Sequence, residues 1–334
     1  AAIEWRESGE ALRAECAGRI VGLLGDAEAL AKSRPTVRAR AGDRLAQLGD
    51  PRFDAQRFFL PADDGLGFVR VAADPGFMIG TRPGDRGRVS RIAGYKLSDN
   101  EINDTLTPTS EFYIARYPVT VAQFRAFVEA TGYAIGDRDA LRDPDSRPVR
   151  WVSWHEALAW CRWLNEVLAT SGVFAGHPIA SLVREHAWRV ALPSELEWEK
   201  AARGGLIGAV FPWGDLADPE RANYGEAEIN DSSAVGCFPA NGFGLYDLAG
   251  NVWEWTRSLW GDGWEKPTFA YPYDANDPRR EALDAADGIL RVVRGGSWFD
   301  PRVFARCAYR SRDHPGGRNG YSGFRVVLRS SPVS

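Results

Sequence analysis

Lysine is almost missing from this chain. Lysine and arginine together number 41, and only four of these are lysine (Lys32, Lys96, Lys200 and Lys266), leaving 37 arginines. Such a bias reflects a GC-rich coding sequence more than chemistry, and with a single methionine it also suits a thermophile. Cysteine is as scarce. Cys16, Cys161, Cys237 and Cys307 stand apart without CxxC spacing, which argues against a zinc site and against a disulfide scaffold. Four histidines (His155, His177, His186 and His314) leave little for metal chemistry; His155-Glu156 has no second histidine four residues on and is no zincin motif. No phosphate-cradling glycine loop is present. A net charge of −4 gives no basic footprint, so nucleic acid is not an expected partner. No apolar run approaches a membrane span, and Ala1–Ile20 is too polar for a signal peptide. As written the chain is expected to be cytoplasmic, unless a leader was removed; secretion or surface display stays compatible with it.

What remains is a globular composition, 44% hydrophobic and 26% charged, with 13 tryptophans. The fold class expected is α+β, a main domain over 61–334 preceded by a helical segment over 1–60. In that segment Leu12, Cys16, Ile20, Leu23 and Leu24 fall at helical spacing, and Val37, Ala41, Leu45 and Leu48 form a second stripe ended by Asp50-Pro51. It reads as a packing appendage more than a docking module. From Phe68 the texture turns to short strands: Phe68–Val71, the turn and strand of Pro75–Gly80, and Glu111–Tyr117. Three capping boxes, Thr120-x-x-Gln123, Ser153-x-x-Glu156 and Ser194-x-x-Glu197, each open a helix. Arg86–Arg91 reads as a short charged loop. After residue 204 no helix of any length is expected, only turns rich in Gly, Pro, Asn and Trp.

The segment 294–325 lies between the β-prone runs Val292-Val293 and Val326-Val327-Leu328 and is expected to be a long loop between two paired strands. Loops on rigid scaffolds concentrate binding and catalysis. Trp298, Phe299, Phe304 and Tyr321 offer large contact area at low entropic cost; Ser311, Asp313, His314 and Ser322 offer adaptable hydrogen bonding. Arg294 and Arg325 are assigned to scaffolding, as guanidinium forks that satisfy loop carbonyls and carboxylates. Asp300 and His314 as an acid–base pair would lack a nucleophile and a third orienting group. Trp253 and Trp255, alternate residues of a strand, read as core.

In order along the chain stand Phe77-Met78-Ile79-Gly80, Tyr117-Pro118-Val119-Thr120, Leu192-Pro193-Ser194-Glu195-x-Glu197-Trp198-Glu199 and Phe211-Pro212-Trp213-Gly214. Asn241-Gly242-Phe243-Gly244-Leu245-Tyr246-Asp247, Gly250-Asn251-Val252-Trp253-Glu254-Trp255, Arg294-Gly295-Gly296-Ser297-Trp298 and Gly323-Phe324-Arg325 follow. Over about residues 65–330 this resembles the formylglycine-generating-enzyme (sulfatase-modifying factor) family, a branch of the C-type lectin fold. The resemblance implies a C-type-lectin-like domain with little regular secondary structure and a displayed C-terminal loop region. The family's enzyme oxidises a peptide cysteine with copper held by two cysteines, three and eight residues after the serine of the RGGS motif. Counted from Ser297 those positions are Asp300 and Ala305, so no copper and no catalysis are expected; Cys307 is read as a buried structural residue. The iron-dependent sulfoxide synthase branch needs three histidines from an N-terminal bundle, and residues 1–60 contain none.

Among non-catalytic branches the stretch is most similar to the variable proteins of diversity-generating retroelements, whose last segment is mutated at adenines of asparagine-type codons. Ser311, Asp313, His314, Gly317, Gly320, Tyr321 and Ser322 are residue types reachable from such codons by changing adenines alone, as are Phe299, Asp300, Phe304 and Ala305. The resemblance thus implies a binding surface of Trp298, Phe299, Asp300, Phe304, Ser311, Asp313, His314, Gly317, Gly320, Tyr321 and Ser322, for a protein or other macromolecular ligand. Positions matching Asp247, Gly250, Val252 and Glu254 bind a structural calcium in the family, which agrees with the hard oxygen donors at that spacing. A second family calcium falls near Asn223 and Tyr224.

Overall fold

The computed structural model describes residues 2–330, with side chains from Gly9 onward; Ala1 and residues 331–334 of the expected main domain lie outside the described residues. The helical segment comprises α1 (Ala2–Gly25), α2 (Ala27–Lys32) and α3 (Pro35–Leu48). Asp26 breaks the first from the second by accepting the amides of Glu28 and Ala29 at 2.8 and 2.9 Å. Gly49, at positive φ, ends α3 one residue ahead of the expected Asp50-Pro51 stop.

Each expected apolar stripe faces inward only in part: Leu24 and Leu45 are buried and Ile20, Ala41 and Leu48 half-buried, as placed. Leu12, Cys16 and Leu23 are exposed, while Ala17 and Leu24 are buried against α3 and the main domain. On α3, Val37 is exposed and the inward face is Arg38, Ala39, Gly42 and Leu45. An apolar count misses this face because Gly42 and Arg38 belong to it. A Cβ on Gly42 would stand 2.6 Å from Ala234 Cβ and Cys237 Sγ, so the helix docks by backbone approach. Buried Arg38 donates to the Glu220 carbonyl at 2.7 Å and lies over the Phe238 ring.

The main domain carries β1 (Phe53–Asp54) and β2 (Leu60–Pro61), then β3 (Phe68–Val71), β4 (Asp74–Phe77), α4 (Arg86–Ala93), β5 (Thr107–Thr109) and β6 (Phe112–Ala115). Next come α5 (Val121–Thr131), α6 (Trp154–Thr170), α7 (Pro178–Glu185), β7 (Trp188–Ala191) and α8 (Glu195–Arg203). The last strands are β8 (Trp253–Gly261), β9 (Leu290–Arg294), β10 (Ser311–Asp313), β11 (Ser322–Gly323) and β12 (Val327–Ser330). All three expected capping boxes form with both reciprocal bonds. The charged stretch at Arg86 is a helix, not a loop: Val89 and Ala93 are buried, and left-handed Gly94 closes it. No α-helix follows α8 among the described residues.

Two four-stranded sheets organise the domain, β3-β6-β12-β7 and β10-β9-β8-β11. The first is antiparallel throughout, and in the second β11 runs parallel to β8. Contrary to the expectation of two paired strands, the runs bordering the C-terminal stretch do not pair with each other; β9 lies in one sheet and β12 in the other. The stretch also holds two short strands of its own, too brief for an alternation to show. The core is shared. Trp154, Trp160, Leu164 and Leu168 of α6 pack with Trp253, Trp255 and Val293 from one sheet and with Val190, Val326 and Leu328 around the other.

Candidate functional site

After β9 the chain turns through Gly295 and Gly296, both at positive φ, and a Cβ on Gly296 would meet the Phe304 backbone at 3.0 Å. Ser297 donates its hydroxyl to Asp300, and the Trp298 amide donates to the Asn251 carbonyl at 3.0 Å. From here to β12 the backbone is held by buried arginines. Arg294 pairs with Glu199 and donates to the Cys307 carbonyl; Arg306 forks onto Glu101 at 2.7 and 3.1 Å. Arg310 forks onto Glu195 at 2.6 and 2.8 Å, and Arg325 onto Glu254 at 2.7 Å through two donors. Both partners of all four pairs are essentially inaccessible. Guanidiniums also stack on rings, Arg294 over Trp198 and Arg310 over Tyr271. The scaffolding role expected for Arg294 and Arg325 is what they perform.

This framework holds open a cleft of about 400 Å³ lined by Trp253, Trp264, Val293, Phe299, Asp300, Phe304, Tyr309, Ser311, Arg312, Asp313, Tyr321 and Ser322. Seven of these were candidates from the sequence: Phe299, Asp300, Phe304, Ser311, Asp313, Tyr321 and Ser322. Phe299, Trp264 and Tyr321 stand out into solvent at 69%, 54% and 43% exposure. Phe304, Tyr309 and Trp253 contact one another below them. Asp300 accepts the Trp253 indole N–H at 2.8 Å; Asp313 accepts the His314 amide at 2.7 Å and the Asn319 side-chain amide at 3.1 Å. Burial pushes both carboxyls above their ordinary value, partly offset by those hydrogen bonds. Burial, then Asp313 and Asp300, raise the Tyr321 phenol, so the three groups share one neighbourhood.

Four candidates do not line the cleft. Trp298 donates to the Gly320 carbonyl at 3.1 Å and so clasps the two ends of the stretch. Gly320 itself packs against Trp151, where a Cβ would stand 2.9 Å from the ring. The Gly317 amide donates to the His314 carbonyl in a turn. His314 is exposed, its Nδ1 accepting the Gly316 amide, and it shares no hydrogen bond with Asp300. Sequence reasoning missed Trp253, Trp264, Val293, Tyr309 and Arg312. Trp264 carried a signal, a tryptophan directly after the Gly261–Gly263 turn; Trp253 is core on one side and cleft wall on the other.

The expected metal positions meet mixed surroundings. Glu254 is spent on Arg325 and on the Trp198 indole at 2.6 Å. Asp247 accepts the Gly236 amide at 2.8 Å and the Asn251 side chain, and burial pushes its carboxyl up to about 6. Asn223 Oδ1 is buried with no hydrogen-bond partner, and Asn223 bridges to Gly250. Of these hard oxygen donors only Asn223 Oδ1 is left unpartnered, since both Asp247 oxygens and Glu254 already accept hydrogen bonds. Among the described residues no three His, Cys, Asp or Glu side chains converge. Copper does not fit. Asp300 faces the cleft, Ala305 is packed with Ala222, Tyr224 and Ala249, and Cys307 is fully buried with its thiol pushed up to about 12 by desolvation.

The chain belongs to the sulfatase-modifying factor enzyme 1-like domain family, whose profile matches residues 78–330. It is 30% identical over 235 residues to the serine/threonine-protein kinase pkn1 of Chlamydia pneumoniae, covering 65% of this chain and 32% of the kinase. The chain thus spans about a third of the length of that relative. It is 33% identical over 277 residues to the formylglycine-generating enzyme of Mycobacterium tuberculosis, covering 67% of this chain and 88% of the enzyme. Among solved structures, Treponema denticola variable protein 1 superposes with a TM-score of 0.53 at 23% identity, covering 78% of this chain and 94% of that one, a likeness of fold. No helix among the described residues is long and apolar enough to cross a membrane.

Proposed function

We propose that this chain is a non-catalytic binding protein that presents the cleft of its segment 294–325 to a protein or other macromolecular ligand, on a C-type-lectin-like scaffold, and that a retroelement diversifies this surface. One observation carries the reading. Seven of the eleven candidate residues gather around a single cleft, while most of the residues that hold the backbone there are buried arginines and glycines outside that set. Asp300 and Ala305 at the two copper-ligand positions remove the thiolates that cysteine oxidation requires. The Treponema fold neighbour is named a variable protein, which agrees with the reading.

The decisive experiment is to sequence the DNA flanking the gene for a near-copy of its last hundred or so bases, differing at adenines, beside a reverse-transcriptase gene. Finding it establishes diversification; its absence leaves a fixed-ligand protein or adaptor of the same fold. The rival, a formylglycine-generating oxidase of peptide cysteine, is favoured by the kinship with the mycobacterial enzyme. Copper-dependent turnover of a cysteine peptide by the purified protein would overturn the non-catalytic reading. In this proposal calcium has a structural part only, at Asp247, Gly250, Val252 and Glu254, with a second ion near Asn223 and Tyr224, where it would satisfy the unpartnered amide oxygen of Asn223.

A further inference from the structure

Four glutamates at most 1% exposed, Glu101, Glu195, Glu199 and Glu254, each form an ion pair with an arginine. The half-buried Asp300 and Asp313 of the cleft have no such answer: their partners are a hydroxyl, an indole and amides, and neither pairs with a lysine or arginine among the described residues. The one cation lining the cleft, Arg312, stacks over Trp260 and Trp264 at 5.1 and 5.8 Å instead. Ser322, 1% exposed, also lines the cleft. Around these groups stand six rings, Trp253, Trp264, Phe299, Phe304, Tyr309 and Tyr321.

We infer that the cleft receives an alkylammonium group, which the aromatic walls attract and Asp300 and Asp313 neutralise. The inference rests on the cleft being a ligand site, as proposed above. Ring faces carry negative potential, and a desolvated cation gains most from them. Carboxylates left without a countercharge regain from a ligand cation what burial cost them. An ammonium fits better than a guanidinium. Asp300 Oδ2 already accepts two donors and Asp313 has a donor on each oxygen, so neither presents the two free parallel oxygens that a guanidinium fork uses. A metal would need more hard ligands than two aspartates supply. The ammonium could arrive on a lysine side chain of a protein partner or on a free polyamine.

The test follows the indole resonances of Trp253 and Trp264 by NMR in the full chain during titration with Nα-acetyl-lysine methylamide, its neutral isostere Nα-acetyl-norleucine methylamide, and 1,5-diaminopentane. The lysine probe is expected to bind with a Kd of about 1 mM, and the norleucine probe at least about tenfold more weakly. Asp300→Asn, which keeps the one acceptor oxygen that both donors use, and Asp313→Asn, which gives up one of its two, should each weaken the lysine probe by about tenfold. Preference for the lysine probe over the diamine assigns the source as a protein partner; the reverse assigns a polyamine, and both support the ammonium. Norleucine binding as tightly as lysine, or lysine binding unchanged in both variants, overturns the inference while leaving the cleft a ligand site. No response to any probe at about 10 mM also overturns it, and the flanking-DNA experiment then decides the wider reading separately.

Discussion

Arg310 is fully buried, forks onto Glu195, and sits between the rings of Tyr271 and Trp260. Replacing it with methionine leaves Glu195 beside Arg280 and Arg294 at 3.7 and 4.0 Å but without its fork. Removing one member of a buried pair costs about 3–5 kcal/mol, and urea denaturation of Arg310→Met should read a loss of that order. Phe299→Ala and Tyr321→Ala, a few residues away along the same segment, should change stability by no more than about 0.5 kcal/mol, since exposed side chains carry little of the fold. Equal losses at Arg310 and Phe299 would mean that framework and display surface are not separate sets. At this scale the sequence made the role of Arg294 and Arg325 legible through their place among glycines and aromatics. Their partners were not. Glu101 lies 205 positions from Arg306, and no local pattern joins residues so far apart.

The three helices that open on capping boxes were legible because the signal is local, four residues with a reciprocal hydrogen bond. α7 has instead a histidine cap at His177 and a proline at its first position, and α4 has an arginine-rich face, so both escaped notice. The pairing of β9 and β12 with other strands was illegible too, because partner choice is settled by packing around α6. The box at Ser153 does more than cap α6. Burial opposes ionisation of Glu156, but the amides of Ser153 and Gly136, each at 2.7 Å, together with Arg318 and the Ser153 hydroxyl, hold its carboxyl below the ordinary 4.5. A depressed pKa contributes stability that is present above the unfolded value and lost as pH falls through the folded one. Glu156→Gln should therefore destabilise the protein at pH 7, with the gap to the parent closing as denaturation is repeated below pH 4.5. A constant gap would assign its cost to packing. Ser153→Ala should cost about 1 kcal/mol at pH 7, and less once Glu156 is protonated, because the Ser153 hydroxyl also donates to its carboxylate.

For the whole molecule, the docked N-terminal helices are what the sequence located but oriented only in part. Their existence followed from helical spacing; their buried face depended on a glycine making room for Ala234 and Cys237, which an apolar count cannot register. Gly42→Val should push α3 off the main domain. Limited proteolysis should then cut between α3 and Phe68 while leaving a resistant fragment that contains both sheets. If the whole chain is degraded together, the segment is integral to the fold and not an appendage.

The two ends of the cleft segment are rooted in different sheets, β9 in one and β12 in the other. Between those ends β10 and β11 stitch the segment back into the β9 sheet, so Phe299 and Tyr321 both stand on that one sheet and only the chain after Gly323 crosses to the other. A ligand gripped between Phe299 and Tyr321 would act as a further tie on that sheet alone. Thermodynamic reciprocity then requires that whatever loosens the β9 sheet also weakens the ligand's affinity, while slackening β7 in the other sheet leaves it unchanged.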